Sequence, residues 1–343
     1  MDTLRIAVPS KGMEDDTLTF LGACGLSVAR SNPRQYRAKL LAIPSVDVTF
    51  QRAGDIFAKV DEGSVDLGIT GYDVVAEERR EDDRVTVLIP ELGYGACALV
   101  LGVPESWIDV TTVHDLSDVS SSLRAKGHDL RVATKYVNLT RQFLYDHGIN
   151  YFSIFESSGA LEAAPTLGYA DVIADIASSG VTLHENRLKT VTGGTILSSE
   201  ACFIANRQEL SRSPTKLART RLILEAMESY LRARPFLSLT ANVRGGTAES
   251  VAHQVIAQGD VAGLKGPTVA RVFPKSVEYD DDEWYAVTVI VSRDRLQDAV
   301  DAMRHAGAAD ITAVQLAYVF DSKAWSYEAL LRALESDGRI YDV

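Results

Sequence analysis

The feature that most constrains the fold is a regular alternation of short apolar runs and helix-like segments between residues 1 and 210. Apolar runs such as Leu4–Val8 and Val65–Thr70 end at small or polar residues, and stretches with helical spacing, such as Val113–Lys126, lie between them. One such helix is predicted to begin at Asn138, because asparagine is a good N-cap residue. Strands that alternate with helices are typical of an α/β architecture with largely parallel sheets.

The pattern changes near Thr215, where one long amphipathic helix is predicted over Leu217–Ala233. From Phe236 to Tyr318 the predicted order of elements is strand, helix, strand, strand, helix, strand. This βαββαβ order is typical of a small ferredoxin-like module. A last helix is predicted over Ser326–Leu334.

Composition narrows the class of protein. The 343 residues imply about two or three domains, and 46% hydrophobic with 24% charged residues are globular values. No apolar run approaches the ~20 residues of a membrane helix, and the first residues lack the basic and apolar regions of a signal peptide. Three widely separated cysteines are typical of reduced thiols. We therefore expect a cytoplasmic protein with no membrane partner.

The charge balance argues against a nucleic-acid partner. The chain has 35 basic and 47 acidic residues, a net charge of −12, whereas a surface that binds nucleic acid is basic. A locally positive pocket for a small anion is still compatible with this charge. The sequence has no G-x-x-x-x-G-K-[ST] phosphate loop, no G-x-S-x-G turn and no H-E-x-x-H helix.

The strongest local signal lies between Ala170 and Leu183, where an apolar strand with two acids leads into a loop of hydroxyl residues and glycine. Small residues let backbone N–H groups point at an anion, Ser178, Ser179 and Thr182 add hydroxyl donors, and a following helix would add a favourable dipole. Asp175 at the strand end suits ribose hydroxyls or Mg²⁺. These features fit a ribose 5-phosphate, although an ordinary capped strand and turn fits the local pattern equally well.

Three other segments carry candidate ligand-binding residues. Lys11 follows the first predicted strand, at the end where α/β sheets bind ligands, and lysine offers a point charge to phosphates. The segment 66–73 ends a strand with small residues and an acid, and Arg34–Arg37 is a basic and aromatic cluster. On local pattern alone, Lys11 also fits a surface turn and Arg34–Arg37 a solvated loop.

Taken together, these segments resemble the long form of ATP phosphoribosyltransferase, the first enzyme of histidine biosynthesis. The similar segments are LRIAVPSKG (4–12), VDLGITGYD (65–73), RVATKYVNLTR (131–141), GALEAAPTLGYADVIADIASSGVTL (159–183), GLKGPTV (263–269) and WYAV (284–287). The segments 159–183 and 263–269 are specific to the family, and the resemblance runs through most of the chain.

The resemblance implies a two-lobe α/β catalytic core like that of periplasmic binding proteins, followed by a ferredoxin-like (ACT-like) regulatory domain. Residues 1–95 and 185–215 would form catalytic lobe I, and residues 96–184 lobe II with the phosphoribosyl pyrophosphate loop. Residues 216–235 would form a connector helix and residues 236–343 the regulatory domain.

The implied reaction transfers the phosphoribosyl group of phosphoribosyl pyrophosphate to N1 of ATP and releases pyrophosphate. N1 carries no proton to remove, so catalysis would rest on positioning and on stabilising the leaving group, with Mg²⁺ on the pyrophosphate. Family members are inhibited by histidine and form homo-oligomers between dimer and hexamer. Two alternatives are a solute-binding protein, which would lack the phosphate loop, and a catalytically silent regulatory subunit, which would have lost Asp175, Gly180 or Thr182.

The resemblance also implies site residues. Lys11 and Asp175 would be catalytic, and Asp175 would also bind the metal. Phosphoribosyl pyrophosphate would contact Glu162, Asp171, Asp175, Ala177, Ser178, Ser179, Gly180, Val181 and Thr182. ATP would contact Lys11, Gly12, Arg34, Gly71, Tyr72 and Asp73. Histidine would contact Asn242, Leu264, Gly266, Thr268 and Asp310. The chain departs from the family at Met13 and Ala96, where basic residues are usual, and Arg5, Arg34 and Arg37 are candidates to replace them.

Overall fold

Two mixed β-sheets with surrounding helices form the α/β core that the alternating pattern predicts. The computed structural model describes residues 2–32, 34–79, 84–157, 159, 161–177, 181–257, 266–273 and 283–336. Its first compact unit comprises Met1–Leu222 and Ser326–Val343, and its second comprises Ile223–Trp325. No described helix has the length and apolar character needed to cross a membrane.

The strands of the first unit are β1 (Leu4–Pro9), β2 (Val28–Ala29), β3 (Arg37–Leu40), β4 (Val46–Gln51), β5 (Leu67–Gly71), β6 (Val85–Ile89), β7 (Cys97–Pro104), β8 (Leu130–Thr134), β9 (Phe152–Glu156), β10 (Val172–Ala177), β11 (Leu188–Ser199) and β12 (Ala201–Asn206). Its helices are α1 (Glu14–Ala23), α2 (Ala53–Asp61), α3 (Tyr72–Glu78), α4 (Val113–Ala125), α5 (Val137–Asp146), α6 (Ala164–Leu167), α7 (Val181–Glu185), α8 (Arg207–Ser211) and the start of α9 (Pro214–Ala233).

The two sheets define two lobes. Lobe I is the seven-stranded sheet β2-β3-β4-β1-β5-β12-β6 with its helices, and lobe II is the five-stranded sheet β11-β7-β10-β8-β9 with its helices. Strand β1 is parallel to β4 and β5, and β8 is parallel to β9 and β10. In contrast, β7, β11 and β12 are antiparallel to their neighbours. The prediction of largely parallel sheets is wrong for these strands, because they lead into or out of the passages between the lobes.

The chain passes between the lobes in two segments, residues 90–96 and Glu200. The first segment binds the start of β12 next to Glu200, since the Leu92 N–H donates to the Ala201 carbonyl at 2.9 Å and the Ala201 N–H donates to the Tyr94 carbonyl at 3.0 Å. The prediction that lobe I resumes at residue 185 is wrong, because β11 pairs with β7 in lobe II. Lobe I resumes with β12.

Each lobe has an apolar core in which helices cover the sheet. The buried residues of one lobe I cluster are Ala7, Ile56, Phe57, Val60, Val65, Val74, Val75, Val85, Cys202 and Ile204. The main lobe II cluster includes Leu99, Leu101, Val103, Leu116, Leu130, Val132, Leu144, Val172 and Ala174. Helix α2 packs directly on β5 at Gly68, where an added Cβ would lie 2.6 Å from Ile56 Cγ2.

The two lobes repeat one polar anchor at the amino ends of their central strands. The backbone N–H, Nε and Nη2 of Arg5 donate to the Asp66 carboxylate at 2.8, 3.2 and 2.7 Å. The same groups of Arg131 donate to the Asp171 carboxylate at 2.8, 3.2 and 2.8 Å. Each arginine lies near the start of β1 or β8, and each aspartate immediately precedes the parallel neighbour, β5 or β10. The opposite, carboxyl ends of these strands are where α/β sheets bind ligands.

Helix α3 of lobe I caps helix α5 of lobe II. The Glu77 carboxylate accepts the backbone N–H groups of Asn138 and Leu139 at 2.8 and 3.0 Å. The prediction of Asn138 as N-cap is wrong, because α5 begins at Val137 and the glutamate from the other lobe accepts its first N–H groups. The α5 start is therefore fixed by lobe I.

The second unit confirms the predicted ferredoxin-like order. It contains β13 (Phe236–Gly245), α10 (Ala248–Ile256), β14 (Thr268–Val272), β15 (Glu283–Ser292), α11 (Leu296–His305) and β16 (Ala308–Gln315). Its antiparallel sheet has the order β14-β15-β13-β16. Alternate β13 residues from Leu237 to Val243 are buried with Val251 and Val255 of α10 and Met303 of α11.

The C-terminal helix α12 (Trp325–Ser336) corrects the predicted limit of the regulatory domain. From Ser326 onward the chain belongs to the first unit, so the second unit does not extend to residue 343. Leu330 and Leu334 are buried, and Arg207 Nη2 donates to the Ala333 carbonyl at 2.5 Å. Helix α12 thus packs on the rest of the first unit.

Candidate functional site

Two cavities in the first unit meet at Cys97 and include the last residues of β10. The Asp175 cavity has a volume of about 410 Å³ and is lined by residues of both lobes, among them Gly54, Asp73, Lys135, Glu162 and Asp175. The Glu200 cavity has a volume of about 720 Å³, and its lining includes Tyr72, Glu91, Ala96, Ala177, Ser199 and Glu200. The described structure therefore forms a cleft between the lobes, at the carboxyl ends of β5, β8 and β10.

Asp175 and Glu162 bring two carboxylates to one cavity. Asp175 lies near the end of β10, and Glu162 lies in the short 3₁₀ turn Leu161–Ala163. Burial raises the pKa of Asp175, and the charge of Glu162 adds to the rise. The Ile176 N–H, which donates to Asp175 Oδ1 at 2.8 Å, and the charge of Lys135 oppose that rise. A partly buried carboxylate with a second acid nearby suits a hydroxyl pair, which donates hydrogen bonds to it, or a cation, which balances its charge.

The donor set fits Mg²⁺ that is shared with a phosphorylated substrate. Within the described residues, no group of three or more His, Cys, Asp or Glu side chains is arranged to hold a metal ion alone. Mg²⁺ is usually held by one or two carboxylates together with substrate phosphates. Asp175 and Glu162 supply such a pair.

The candidate phosphate loop follows directly after Asp175. Ala177 lines the Glu200 cavity, whereas Ser178, Ser179 and Gly180 lie outside the described residues. The backbone of Val181 begins α7, and Thr182 is exposed in that helix. The described residues on either side of the loop are thus Ala177, at the carboxyl end of β10, and Val181, at the start of α7.

The predicted ATP residues at the end of β5 have different roles in the structure. Gly71 and Asp73 line the Asp175 cavity, and Tyr72 lines the Glu200 cavity. Asp73 is only 7% exposed, and its carboxylate accepts Tyr136 Oη at 2.6 Å and Ser199 Oγ at 2.8 Å. A Cβ on Gly71 would lie 2.2 Å from Asp73 Oδ1, so glycine is required for this arrangement. Asp73 therefore links the two lobes.

Lys11, Gly12 and Arg34 lie outside the linings of these two cavities. Lys11 and Gly12 form an exposed turn after β1, with Gly12 at a φ of 70°. The Lys11 carbonyl accepts the Met13 N–H at 2.8 Å, and Met13 lines the Asp175 cavity. Arg34 is exposed in the loop before β3. The turn that carries Lys11 is thus adjacent to the cavity, and Arg34 lies on a separate loop.

Two expectations from the sequence are corrected. Asp171 was expected at the sugar, but it precedes β10 at the end opposite to Asp175 and binds Arg131. Arg5 was a candidate to replace a missing cation, but it binds the fully buried Asp66 at the amino end of β1. Both residues belong to the repeated anchor and lie away from the cleft.

Sequence reasoning missed Lys135, Tyr136 and Ser199. Tyr136 and Ser199 hold Asp73, and burial together with the Asp73 charge raises the pKa of Tyr136. Lys135 lines the Asp175 cavity immediately after β8. The signal that would have found it is the one used for Lys11, a lysine at the carboxyl end of a parallel strand.

In the second unit, four of the five predicted histidine contacts are described. Asn242 of β13 donates to Asp310 of β16, with Nδ2 and Oδ2 at 3.4 Å, and Asp310 has a φ of 52°. Thr268 lies opposite Thr288, which in turn lies opposite Thr240, two residues before Asn242. These side chains share the sheet face that α10 and α11 leave uncovered. Gly266 precedes β14, and Leu264 lies outside the described residues.

The comparisons with known proteins agree with this architecture. The family model described as ATP phosphoribosyltransferase matches residues 52–229, and the model of the C-terminal domain of the same family matches residues 233–318. The chain is 35% identical over 336 residues to ATP phosphoribosyltransferase 1, chloroplastic, of Arabidopsis thaliana, covering 97% of this chain and 81% of that protein. It is 34% identical over 332 residues to the ATP phosphoribosyltransferase of Nitrobacter winogradskyi, covering 96% and 97%.

A solved structure shares the fold of the core. The ATP phosphoribosyl transferase (HisG:HisZ) complex from Thermotoga maritima superposes with a TM-score of 0.50 at 22% identity, covering 66% of this chain and 99% of that chain. The fold has the expected two-lobe α/β core and the expected C-terminal ferredoxin-like domain. Because the relatives align over nearly the whole chain and the models of both family domains match it, this chain belongs to the ATP phosphoribosyltransferase family.

Proposed function

We propose that this protein transfers the phosphoribosyl group of phosphoribosyl pyrophosphate to N1 of ATP, the first step of histidine biosynthesis. The observation that supports it most directly is the pair Asp175 and Glu162 in one interlobe cavity, where Asp175 belongs to the strand that leads into the loop at 178–182. A bond forms between N1 and C1 of the ribose, while the bond from C1 to the pyrophosphate oxygen breaks and its electron pair leaves with pyrophosphate. No proton is removed from N1, so positioning and charge stabilisation carry the catalysis.

The sugar phosphate is assigned to the end of β10. Asp175 and Glu162 bind the ribose hydroxyls and the metal, and Ala177–Thr182 hold the 5-phosphate through backbone N–H and hydroxyl groups. Mg²⁺, when bound there, offsets the negative charge that develops on the pyrophosphate. The raised pKa of Asp175 supports this assignment, because a bound cation would lower the cost of its charge.

ATP is assigned to the lobe I side of the cleft. Gly71 and Tyr72 line the two cavities, and Lys11, Gly12 and Arg34 lie on loops of the same lobe. Lys11 stabilises phosphate charge from the turn beside Met13. We assign Asp73 a structural role in this site, because both of its carboxylate oxygens accept hydrogen bonds from the protein.

Regulation is assigned to the second unit. Histidine binds beside Asn242, Gly266, Thr268 and Asp310, with Leu264 from the adjoining segment, and inhibits the enzyme. The shared face of Asn242, Thr268 and Asp310 supports this, since an amide, a hydroxyl and a carboxylate match the charged and polar groups of an amino acid. A homo-oligomer between dimer and hexamer and a cytoplasmic location complete the proposal and rest on family membership.

The test is pyrophosphate release by the purified full chain with ATP, phosphoribosyl pyrophosphate and Mg²⁺, with and without millimolar histidine. We expect release to require all three components and to fall when histidine is added. Release without ATP would show hydrolysis and overturn the proposed transfer. Absence of release in every mixture would favour a catalytically silent regulatory subunit, and release unaffected by histidine would overturn the regulatory assignment alone.

A further inference from the structure

Lys135 lies between two residues whose positions are fixed. Thr134, the last residue of β8, donates its hydroxyl to the Ala174 carbonyl at 2.7 Å and accepts the Tyr136 N–H at 2.9 Å. Tyr136 in turn binds Asp73 of lobe I. The backbone of Lys135 is therefore held on both sides, while its side chain is exposed to the cleft.

The ammonium group of Lys135 reaches from lobe II to lobe I. A Cβ added to Gly54, near the start of α2, would lie 3.5 Å from Lys135 Nζ. Nζ also lies 5.8 Å from the centre of the Tyr136 ring. The ammonium group of Lys135 thus lies within van der Waals distance of the position that a side-chain atom at residue 54 would take.

Lys135 carries a charge that the described protein does not pair. Of the described residues that line the Asp175 cavity, Lys135 is the sole cation, and the acids are Asp73, Glu162 and Asp175. Asp73 is already satisfied by Tyr136 and Ser199. Among the described residues, no carboxylate forms an ion pair with Lys135, although its field acts on Asp175. A cation held in this way beside two acids is suited to an anionic ligand that approaches between them.

We propose that Lys135 binds the pyrophosphoryl group of phosphoribosyl pyrophosphate and stabilises it as it leaves. The inference rests on the proposed function and names a residue that this function did not require. Pyrophosphoryl chemistry also occurs in the triphosphate of ATP, but Lys135 shares its cavity with Asp175 and Glu162, the acids assigned to the sugar. Those acids repel the charge that develops on the leaving group, and Lys135 offsets this repulsion in addition to any bound Mg²⁺.

The experiment compares binding and turnover of four full-length variants. Lys135→Ala removes the charge, Lys135→Arg keeps it, and Lys126→Ala removes an exposed lysine at the end of α4 as a matched control. Gly54→Asp leaves Lys135 in place but sets a carboxylate beside its ammonium group. That change lies in the first turn of α2, where an acid is favourable for the helix, so we expect the variant to fold.

We expect Lys135→Ala to weaken binding of inorganic pyrophosphate and of phosphoribosyl pyrophosphate by about tenfold or more, the usual effect of losing a hydrogen bond to a charged group. Gly54→Asp should act in the same direction, Lys135→Arg should restore most of the binding, and Lys126→Ala should match the parent chain. Binding of ATP alone should be unchanged in Lys135→Ala, Lys135→Arg and Lys126→Ala. Melting temperatures establish that each variant is folded.

Unchanged pyrophosphate binding in Lys135→Ala would overturn the inference, as would a loss confined to ATP. These outcomes are separable from failure of the proposed function. A parent chain that catalyses transfer while Lys135→Ala behaves identically refutes the role of Lys135 alone. A parent chain that binds pyrophosphate through Lys135 but produces no phosphoribosyl-ATP refutes the reaction and leaves the anion site standing.

Discussion

Tyr136 and Asp73 lie on different lobes, and the tyrosine hydroxyl donates to Asp73 Oδ2 at 2.6 Å. The other carboxylate oxygen, Oδ1, accepts Ser199 Oγ at 2.8 Å. Together with the cap that Glu77 provides for α5, this bond joins α3 of lobe I to the start of α5. The buried acids Asp73 and Glu77 of α3 therefore hold lobe II against lobe I. The same contacts fix Lys135, which precedes Tyr136 in the chain.

Tyr136→Phe is expected to destabilise the protein. The change leaves the buried Asp73 carboxylate without one of its donors, which costs about 1–3 kcal/mol. Denaturant unfolding of the full chain measures the difference. Tyr145→Phe, at an exposed tyrosine of α5, is the matched control and should change the free energy of unfolding little. Equal stability of the two variants would contradict the role of the Asp73 bond.

Asp175→Asn is expected to reduce activity without reducing stability. Losing the charge at the sugar should lower kcat/KM by about a hundredfold, the size of one lost electrostatic contact to the transition state. The pKa of Asp175 is higher in the folded protein than in the unfolded chain. Protonated Asp175 therefore contributes to stability below the ordinary pKa, and this contribution is lost as pH rises through the raised value. At neutral pH the neutral amide should therefore be at least as stable as aspartate.

The pH dependence of activity should follow the same group. Because the ionised carboxylate is the proposed binding form, kcat/KM should fall as pH decreases through the raised pKa of Asp175. Steady-state rates across the acidic range, compared with Asp175→Asn, measure this. An acidic limb that persists unchanged in the variant would assign it to another group.

Asp171→Asn should lower the stability of the protein without changing its binding of phosphoribosyl pyrophosphate. Its carboxylate accepts three bonds from Arg131, so the change should lower the melting temperature and cost about 1–2 kcal/mol. The KM for phosphoribosyl pyrophosphate should be unchanged, because Asp171 lies at the other end of β10. A selective rise in this KM with unchanged stability would return Asp171 to the sugar site.

Asn242→Ala should weaken inhibition by histidine. Losing one amide contact should raise the histidine concentration for half-inhibition by about tenfold. The rate without histidine should stay the same, since Asn242 belongs to the second unit. Lower activity without histidine and undiminished inhibition would contradict the assigned site.

Local patterns predicted most elements, because each depends on residues close in sequence. Val113–Lys126 was predicted as a helix and is observed as Val113–Ala125, with a capping box formed by Thr112 and Asp115. The order of the second unit was also predicted correctly. In contrast, β11 and its pairing with β7 were missed, because its twelve residues, with Gly193 and Gly194 inside, show no clear alternation.

Only part of the site could be predicted from the sequence, because the roles of some residues depend on contacts that are distant in the chain. Asp171 and Asp175 belong to one sequence segment, and only the pairing of Asp171 with Arg131, forty residues away in the chain, separates an anchor from a ligand-binding acid. Asp73 resembled a ligand because it follows a strand end, but its partners Tyr136 and Ser199 come from the other lobe. Such roles depend on contacts that no local pattern encodes.

The two passages between the lobes have a mechanical consequence. Residues 90–96 and the Glu200 region run side by side and are bonded as a strap, and Pro90, Glu91, Ala96 and Glu200 line the larger cavity. A two-stranded strap bends easily across its width but resists sliding and twisting. The lobes should therefore rotate mainly about one axis through these two segments. A ligand in the larger cavity would contact the hinge residues themselves.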